Sequence, residues 1–330
     1  MTLSGIKIVA AQEFRVRLRT GRWRWLLIAW VAVIAAFTGL LRYGLGVARS
    51  TSDVGMDHIG LPMFGSLMLF VLGLALLVAP ALAAQSVNGD RERGTLATVQ
   101  VTPLTAWEIT LGKFAASWTT GLVFLVLTLP FATWAILEGG VGPLRAVAVI
   151  VVVALLIGVI CAMAQGLSAL FARGITSTLM SYLLVFALTV GTVIVFFLSL
   201  PLTMTEKHYA IEGQTYTSDV PQPELVWWLM APNPFVILGD AAPAPPMQYN
   251  PYTGKDEPVV EGDPLSGIGL MARTMRSDVE TYRPDALASS PAVWPYGLGF
   301  NVLAGGGALW LSARRLRTPV HKLSRGVRIA

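Results

Sequence analysis

The chain has 330 residues, of which 54% are hydrophobic and only 13% are charged, and its mean hydropathy is +0.63. Because soluble domains carry about 25% charged residues, this composition excludes an ordinary water-soluble surface and predicts an integral membrane protein. The net charge of +5 is spread over the flanks of apolar segments, so it indicates membrane topology and no nucleic-acid partner. The single cysteine, Cys161, lies in an apolar run, which predicts a buried packing residue and no intramolecular disulfide.

Six windows without Asp, Glu, Lys or Arg predict transmembrane helices, since about 20 mostly apolar residues cross a hydrocarbon core of roughly 30 Å. These windows are 25–41, 59–89, 114–137, 146–172, 174–205 and 286–313. In lipid, backbone polar groups find partners only within helices or closed barrels. We therefore predict an all-α membrane protein with six transmembrane helices, five within residues 25–205 and the sixth over residues 286–314.

The distribution of basic residues predicts the orientation of these helices. If the amino terminus is inside, the inner segments hold 16 of the 24 Lys and Arg residues. The protein is therefore expected to be a multi-pass protein of the cell membrane with both termini in the cytoplasm. Residues 315–330 form a basic cytoplasmic tail that anionic lipid would attract.

Residues 1–24 predict a cytoplasmic amphipathic helix that precedes the first span. Apolar residues three or four apart share one helical face, namely Leu3, Ile6, Ala10, Phe14 and Leu18. Basic residues occupy much of the remaining surface, which is typical of a helix in the headgroup plane of a membrane. A solvated basic tail is the alternative.

A polar segment separates the second span from the third. It reads DRERGTL at residues 90–96 and TPLT at residues 102–105. Thr95 can cap a short helix, and Pro103 suits the first position of a new helix that Thr102 caps. We interpret the segment as a short transverse helix, a break, and the helix that enters the third span. An ordinary cytoplasmic turn fits the same residues.

The fourth and fifth predicted spans form a tight antiparallel hairpin, and polar side chains inside them either line a pathway or join helices by hydrogen bonds. The candidates for pathway lining are Gln165, Ser168, Ser181 and Thr189. No Asp, Glu, Lys or Arg lies deep within a predicted span. Glu138 and Arg145 are expected near the outer ends of the third and fourth spans, where water reaches them. This distribution disfavours an ion-coupled carrier.

The outer loop, residues 206–285, is extracytoplasmic and carries 12 acidic and 5 basic residues. Within it, residues 225–239 are apolar but too few to span a membrane, so they predict a re-entrant or interfacial helix. The core of a small extracellular fold is the alternative. Residues 242–264 are expected to be irregular, residues 273–283 suit a short helix, and the scattered acidic residues suit a solvated surface without a metal site.

No catalytic residues are predicted, because the chain has no nucleophile–base arrangement, no metal-ligand cluster and no phosphate-binding loop. The chain is therefore not expected to be an enzyme or to hydrolyse ATP by itself. It is expected to hold no cofactor.

The polar segment and Gly112-Lys113 together resemble the signature between the second and third spans of ABC-2-type transporter permeases. The amphipathic amino-terminal helix, the six spans and the outer loop before the last helix agree with this resemblance, which covers about residues 1–315. In that family this segment of the permease is a coupling helix that docks into a cleft on an ATP-binding subunit, and the resemblance places it near residues 90–108 here. The resemblance implies ATPase-coupling roles for Arg91, Glu92, Arg93, Gly94, Thr95, Thr102 and Pro103.

The resemblance further implies a permease subunit of an ATP-binding cassette transporter that exports a hydrophobic or amphipathic substrate. ATP and Mg²⁺ would be bound by separate ATPase subunits, and a second permease copy or a homologous permease would complete the pathway. Membrane lipid would be a further partner. A secondary carrier and a non-transporting membrane scaffold are the alternatives.

Overall fold

The computed structural model of the protein describes residues 2–19, 22–51, 59–92, 104–211, 214–250, 255–258, 262–277, 287 and 290–316. The first half of the described chain is helical. Its helices are α1 (Leu3–Arg19), α2 (Arg22–Thr51), α3 (Gly60–Ala83), α4 (Asn88–Glu92), α5 (Ala106–Leu137) and α6 (Pro143–Leu170). Next comes α7 (Gly174–Phe186), which passes through a π-helical turn (Ala187–Gly191) into α8 (Thr192–Ser199).

The remaining described elements belong to the outer loop and the carboxyl-terminal helix. They are β1 (Met204–Ile211), β2 (Gln214–Pro221), α9 (Pro234–Ala241), β3 (Met247–Asn250), β4 (Lys255–Pro258), α10 (Pro264–Arg276) and α11 (Trp294–Leu316). β1 pairs antiparallel with β2, with Met204 opposite Pro221, and β3 pairs antiparallel with β4.

Among the described residues, five helical stretches are long and apolar enough to cross a membrane: Trp23–Ser50, Gly60–Asp90, Ala106–Leu137, Pro143–Leu170 and Gly174–Thr203. These stretches correspond to the first five predicted spans, and the protein is a mostly helical, multi-pass membrane protein. α11 is not one of them by length and composition, so the sixth span stays a prediction. α11 does pack on α6, where Gly166 lies directly against Ala308.

The core lies around α3 and α6, which pack against each other and against α5. Phe64, Leu67 and Met68 of α3 are at most 1% exposed, as are Leu156 and Ile160 of α6. By contrast, α2 and α8 carry apolar side chains on the outside of the bundle. This arrangement is typical of a membrane protein, because lipid solvates apolar side chains that water would not.

The two hairpins are strands that the predictions for the outer loop did not include. Residues 242–264 were expected to be irregular, but β3 and β4 lie within them, so this expectation was wrong there. The apolar stretch 225–239 folds as a 3₁₀ turn at Trp227–Leu229 followed by α9. α9 packs against α10, and its Ile237 and Leu238 are fully buried.

The helix expected over residues 273–283 overlaps only the last turn of α10, which runs from Pro264 to Arg276, and residues 278–283 lie outside the described residues. The start is explained by Asp263, whose side chain accepts hydrogen bonds from the backbone N–H groups of Leu265 and Ser266 at 3.4 and 3.0 Å. Proline at the first helical position loses no hydrogen bond that the helix would otherwise make. The combination Asp263-Pro264 is therefore the local signal that sets the start of α10.

Arg145 and two acidic residues of the outer loop are buried, which corrects the expectation of water-accessible groups. Arg145 is 3% exposed, and its guanidinium lies 2.5 Å from the Asp263 carboxylate and also donates to the Pro243 carbonyl. Asp240 is 1% exposed and accepts from Arg273 at 2.6 Å and from the backbone N–H of Trp294 at 2.7 Å. The Arg145–Asp263 ion pair therefore joins the outer loop to the start of α6, and the hydrogen bond from Trp294 to Asp240 joins it to the start of α11.

Candidate functional site

The candidate site lies where α1, α4 and α5 meet. The Lys113 ammonium of α5 forms ion pairs with Glu13 of α1 and with Asp90 of α4, the latter at 2.5 Å. The Lys113 side chain is only 3% exposed, whereas the Glu13 and Asp90 side chains are 26% and 13% exposed. We call this group of three residues the Lys113 junction.

Burial explains why the Lys113 junction holds these helices together. An ammonium group that loses water is costly unless carboxylates and hydrogen bonds replace that water. Glu13 and Asp90 supply two carboxylates from separate elements. Lys113 is therefore stable in this position only while α1 and α4 both remain docked on α5.

The start of α5 is a second attachment point beside the Lys113 junction. Thr105 and Glu108 form a capping box, in which the Glu108 carboxylate accepts from the Thr105 backbone N–H at 2.7 Å. The same carboxylate accepts from the backbone N–H and the hydroxyl of Thr2, at 2.5 and 2.9 Å. One acidic side chain thus begins α5 and holds the amino-terminal end of α1.

The capping box corrects one sequence interpretation. α5 begins at Ala106 with Thr105 as its cap, so it does not begin at Pro103 with Thr102 as its cap. A Thr followed three residues later by Glu is a recognised N-terminal pattern, and Thr105 and Glu108 show it in the sequence. The capping box, and not Pro103, therefore sets the start of α5.

The coupling residues inferred from the resemblance lie between these two attachment points. Arg91 and Glu92 are in the short helix α4, and the structure describes only their backbone. Arg93, Gly94, Thr95, Thr102 and Pro103 lie outside the described residues. Their role stays a prediction. Asp90 and Thr105 lie at the two ends of this stretch and attach it to α5, because Asp90 pairs with Lys113 and Thr105 caps the helix.

On the other side, α4 is joined to α6 by Ser168. The Ser168 hydroxyl accepts from the backbone N–H groups of Val87 and Asn88, both at 3.2 Å. Gln165, one turn earlier, donates to the Thr110 carbonyl of α5 at 2.9 Å. Both side chains are fully buried, so these two predicted pathway residues lie beside the Lys113 junction and hold α6 against it.

The other two predicted pathway residues lie along the fifth span. Ser181 is buried and donates to the Ser177 carbonyl of its own helix at 2.8 Å. Thr189 is in the π-helical turn and lines an apolar cavity between this span and the outer loop. The structure therefore places the four predicted pathway residues in two separate regions.

Glu13 and Glu108 are site residues that were not predicted from the sequence. Glu13 is the single acidic residue in the first 24 residues, and this isolation is the signal that sets it apart. Its partner Lys113 is 100 residues away along the chain, so this signal does not say which cation it meets.

Comparison with known proteins identifies the family. The model of the family described as ABC-2 family transporter protein matches residues 7–226, which include the Lys113 junction and all five apolar stretches. The search of curated proteins finds no match. Because the family model covers about two thirds of the chain, this protein belongs to the ABC-2 family of transporter proteins and is a membrane permease.

Proposed function

We propose that this permease is the membrane-spanning subunit of an ATP-binding cassette exporter in the cell membrane, with both termini in the cytoplasm. Separate ATPase subunits would bind it at residues 91–105, and a second permease copy or a homologous permease would complete the pathway. ATP and Mg²⁺ belong to the ATPase subunits, so the chain itself is not catalytic. The observation that carries the proposal is the Lys113 junction, which links this segment to the bundle.

The mechanism starts when ATP closes the two ATPase subunits and displaces the segment that they hold. Asp90, which directly precedes the segment, transmits this displacement to Lys113. Thr105, the last residue of the segment, transmits it to Glu108. Because separating a buried ion pair is costly, α1, α4 and the start of α5 move as one unit. The interface between the two permease copies then opens to the outside.

The proposed substrate is hydrophobic or amphipathic. Polar side chains near the junction are engaged with the protein itself, as for Ser168 with the backbone before α4. Gln165 is engaged only in part, because its amide nitrogen donates to the Thr110 carbonyl while its buried Oε1 has no hydrogen-bond partner among the described residues. Gln165 thus keeps one acceptor for a donor that enters the bundle, which supports its proposed place in the pathway.

Replacement of Glu92 and Arg93 tests the coupling role. The complex of this chain with its ATPase subunits, in liposomes, should lose ATPase activity about tenfold in the double variant Glu92→Ala/Arg93→Ala, as expected when a charge-assisted contact worth about 1.4 kcal/mol is lost. Membrane insertion should be unchanged. Arg315→Ala is the matched control, because Arg315 is an exposed arginine on the same side, outside the segment.

Unchanged turnover in the double variant would count against the assignment of residues 91–105. The other functions make different predictions. A secondary carrier would transport in liposomes under an ion gradient with no ATPase subunit present. A scaffold would purify without any nucleotide-binding protein and would show no transport with or without ATP.

A further inference from the structure

A cavity of about 360 Å³ lies between the fifth span and the outer loop, and we call it the outer cavity. Its walls come from the π-helical turn, α8, α9 and α10, including the side chains of Val193, Phe235, Ile268 and Met271. Small-molecule sites in proteins occupy about 300–1,000 Å³. The outer cavity is therefore large enough for part of a ligand and too large for ordinary packing defects.

The polar side chains in the wall are already engaged with the protein. Asn233 donates to the Thr189 carbonyl at 2.8 Å and to the Thr192 hydroxyl at 2.9 Å, and its carbonyl oxygen accepts from the Phe235 N–H at 2.9 Å. The Thr189 hydroxyl donates to the Val185 carbonyl at 2.8 Å. The interior of the outer cavity thus favours a hydrocarbon chain, and its methionines adapt to the shape of such a chain.

A cation lies at the edge of the outer cavity. Trp227 forms part of the wall, and the Arg276 guanidinium lies 4.8 Å from the ring centroid of Trp227 and 4.8 Å from that of Tyr296. Arg276 donates to the Ala292 carbonyl at 2.5 Å and to the Tyr296 hydroxyl at 3.2 Å. A guanidinium has five N–H donors, so others remain for an anionic oxygen. No carboxylate among the described residues forms an ion pair with Arg276.

The apolar outer face of α8 continues from the outer cavity to the membrane side of the bundle. Ile194, Val195, Phe197 and Leu198 of α8 are 47–70% exposed, as expected for side chains in contact with lipid. An occupant that enters along this face comes from the bilayer. Filling the cavity with a lipid chain restores dispersion contacts that an empty apolar space forfeits.

We propose that the outer cavity binds one acyl chain of a membrane phospholipid, with the phosphate group of that lipid on Arg276. The planar guanidinium, which lies against two aromatic rings that contact each other at 5.4 Å between centroids, presents its donors in the geometry that phosphate oxygens accept. This lipid site does not depend on the proposed ATPase coupling, because none of its residues belongs to residues 91–105. It would exist even if the chain did not transport.

Photolabelling tests the site directly. The full-length protein is reconstituted in nanodiscs with a phosphatidylglycerol that carries a diazirine midway along one acyl chain, and labelled residues are identified by mass spectrometry. Label is expected on Met271 and Met275. Ala272→Phe, which fills the cavity, should reduce this labelling about tenfold, the equivalent of about 1.4 kcal/mol. Leu179→Phe is the matched control, because it adds the same ring at an exposed position of α7 outside the cavity wall and should leave labelling unchanged.

The phosphate contact is tested by Arg276→Gln and Arg276→Lys. The mole fraction of probe lipid that gives half-maximal labelling should rise about tenfold in Arg276→Gln and less in Arg276→Lys, which keeps the charge. These variants leave the cavity open, so they still test the proposal if Ala272→Phe fails to fold. Label confined to the exposed face of α8, labelling that persists in Ala272→Phe, equal half-saturation in Arg276→Gln, or competition by inorganic phosphate in place of phospholipid would each overturn the proposal.

Discussion

At the scale of single residues, burial decides which ion pairs matter in this permease. The Arg42–Glu138 pair has side chains 37% and 23% exposed, and such solvent-accessible pairs contribute about 0–1 kcal/mol. The Lys113 and Arg145 side chains are both 3% exposed. Breaking a buried pair costs about 3–5 kcal/mol, since one charge is left without a partner. The buried cations therefore hold elements together, whereas the exposed pair adds little.

Replacement of Lys113 by methionine should lower the free energy of unfolding by about 3 kcal/mol, the lower end of the range for buried pairs, because the Glu13 and Asp90 carboxylates keep some access to water. Methionine has a similar length but leaves the two carboxylates without their shared cation. Unfolding by SDS in mixed micelles measures the change. Lys7→Met is the matched control, since Lys7 is exposed on α1, and it should change stability by no more than about 0.5 kcal/mol.

A charge-neutral set distinguishes electrostatics from packing at the Lys113 junction. Adding Glu13→Gln and Asp90→Asn to Lys113→Met removes the unpaired carboxylates and should recover part of the lost stability. If Lys113→Met proves as stable as Lys7→Met, the ion pairs do not hold α1 and α4 to α5. The structural basis of the proposed coupling would then be wrong.

At the scale of elements, α1 contacts α5 through residues outside the apolar face that the sequence predicts for the membrane. The sequence predicts an apolar face that includes Leu3, yet Leu3 is 77% exposed, while Gly5 and Val9 are buried. The reason is Gly112 of α5. A Cβ atom at Gly112 would lie 2.6 Å from the Val9 Cβ, so only glycine lets α1 approach this closely. The exposed apolar residues of α1 remain available to lipid.

Gly112→Ala should therefore destabilise the protein, although alanine is the better helix former. The overlap with Val9 costs about 1–3 kcal/mol, which exceeds the gain of roughly 1 kcal/mol in helix propensity. Trypsin should cleave faster after Lys7 and Arg15 as α1 leaves α5. In the control Gly39→Ala, nothing lies within 4 Å of the new Cβ, so stability should rise slightly. Equal stabilisation of both variants would contradict the close packing of α1.

At the scale of the whole molecule, the two ends of the bundle have different contents. The Lys113 junction and both attachment points of the proposed coupling segment, residues 91–105, lie at one end. The outer cavity, the hairpin β1–β2 and the buried pairs of Arg145 and Asp240 lie at the other. The family match covers residues 7–226, so it includes β1–β2 and Arg145 of the second end and stops before α9 and α10.

Cysteine labelling in intact cells tests the predicted orientation of these two ends. A membrane-impermeant maleimide should label Ser218→Cys in intact cells, but Gln12→Cys only after permeabilisation. Both positions are exposed, so accessibility depends on the side of the membrane. The natural Cys161 is fully buried and should stay unlabelled, which makes the wild-type chain the control. Labelling of Gln12→Cys in intact cells would show the opposite topology, with residues 91–105 on the side of the membrane that has no ATP.

Only the features of the candidate site that depend on local sequence patterns could be predicted from the sequence. The polar segment after Asp90 stands out between two apolar windows, and the capping box of Thr105 and Glu108 is a four-residue signal. The Lys113 junction could not be found in this way. Lys113 was visible as part of Gly112-Lys113, but its partners lie 100 and 23 residues away.

The sequence by itself determined that this protein is a helical membrane protein with at least five apolar spans, because bilayer thickness sets the length of each span and composition reports it locally. Tertiary structure alone decided which polar groups are buried. The sequence places Arg145 at the end of a span, where water is expected to reach it. In the structure Arg145 is buried against Asp263, which is 118 residues away along the chain. Burial depends on which distant segments pack together, and the local pattern around a charged residue carries no information about that packing.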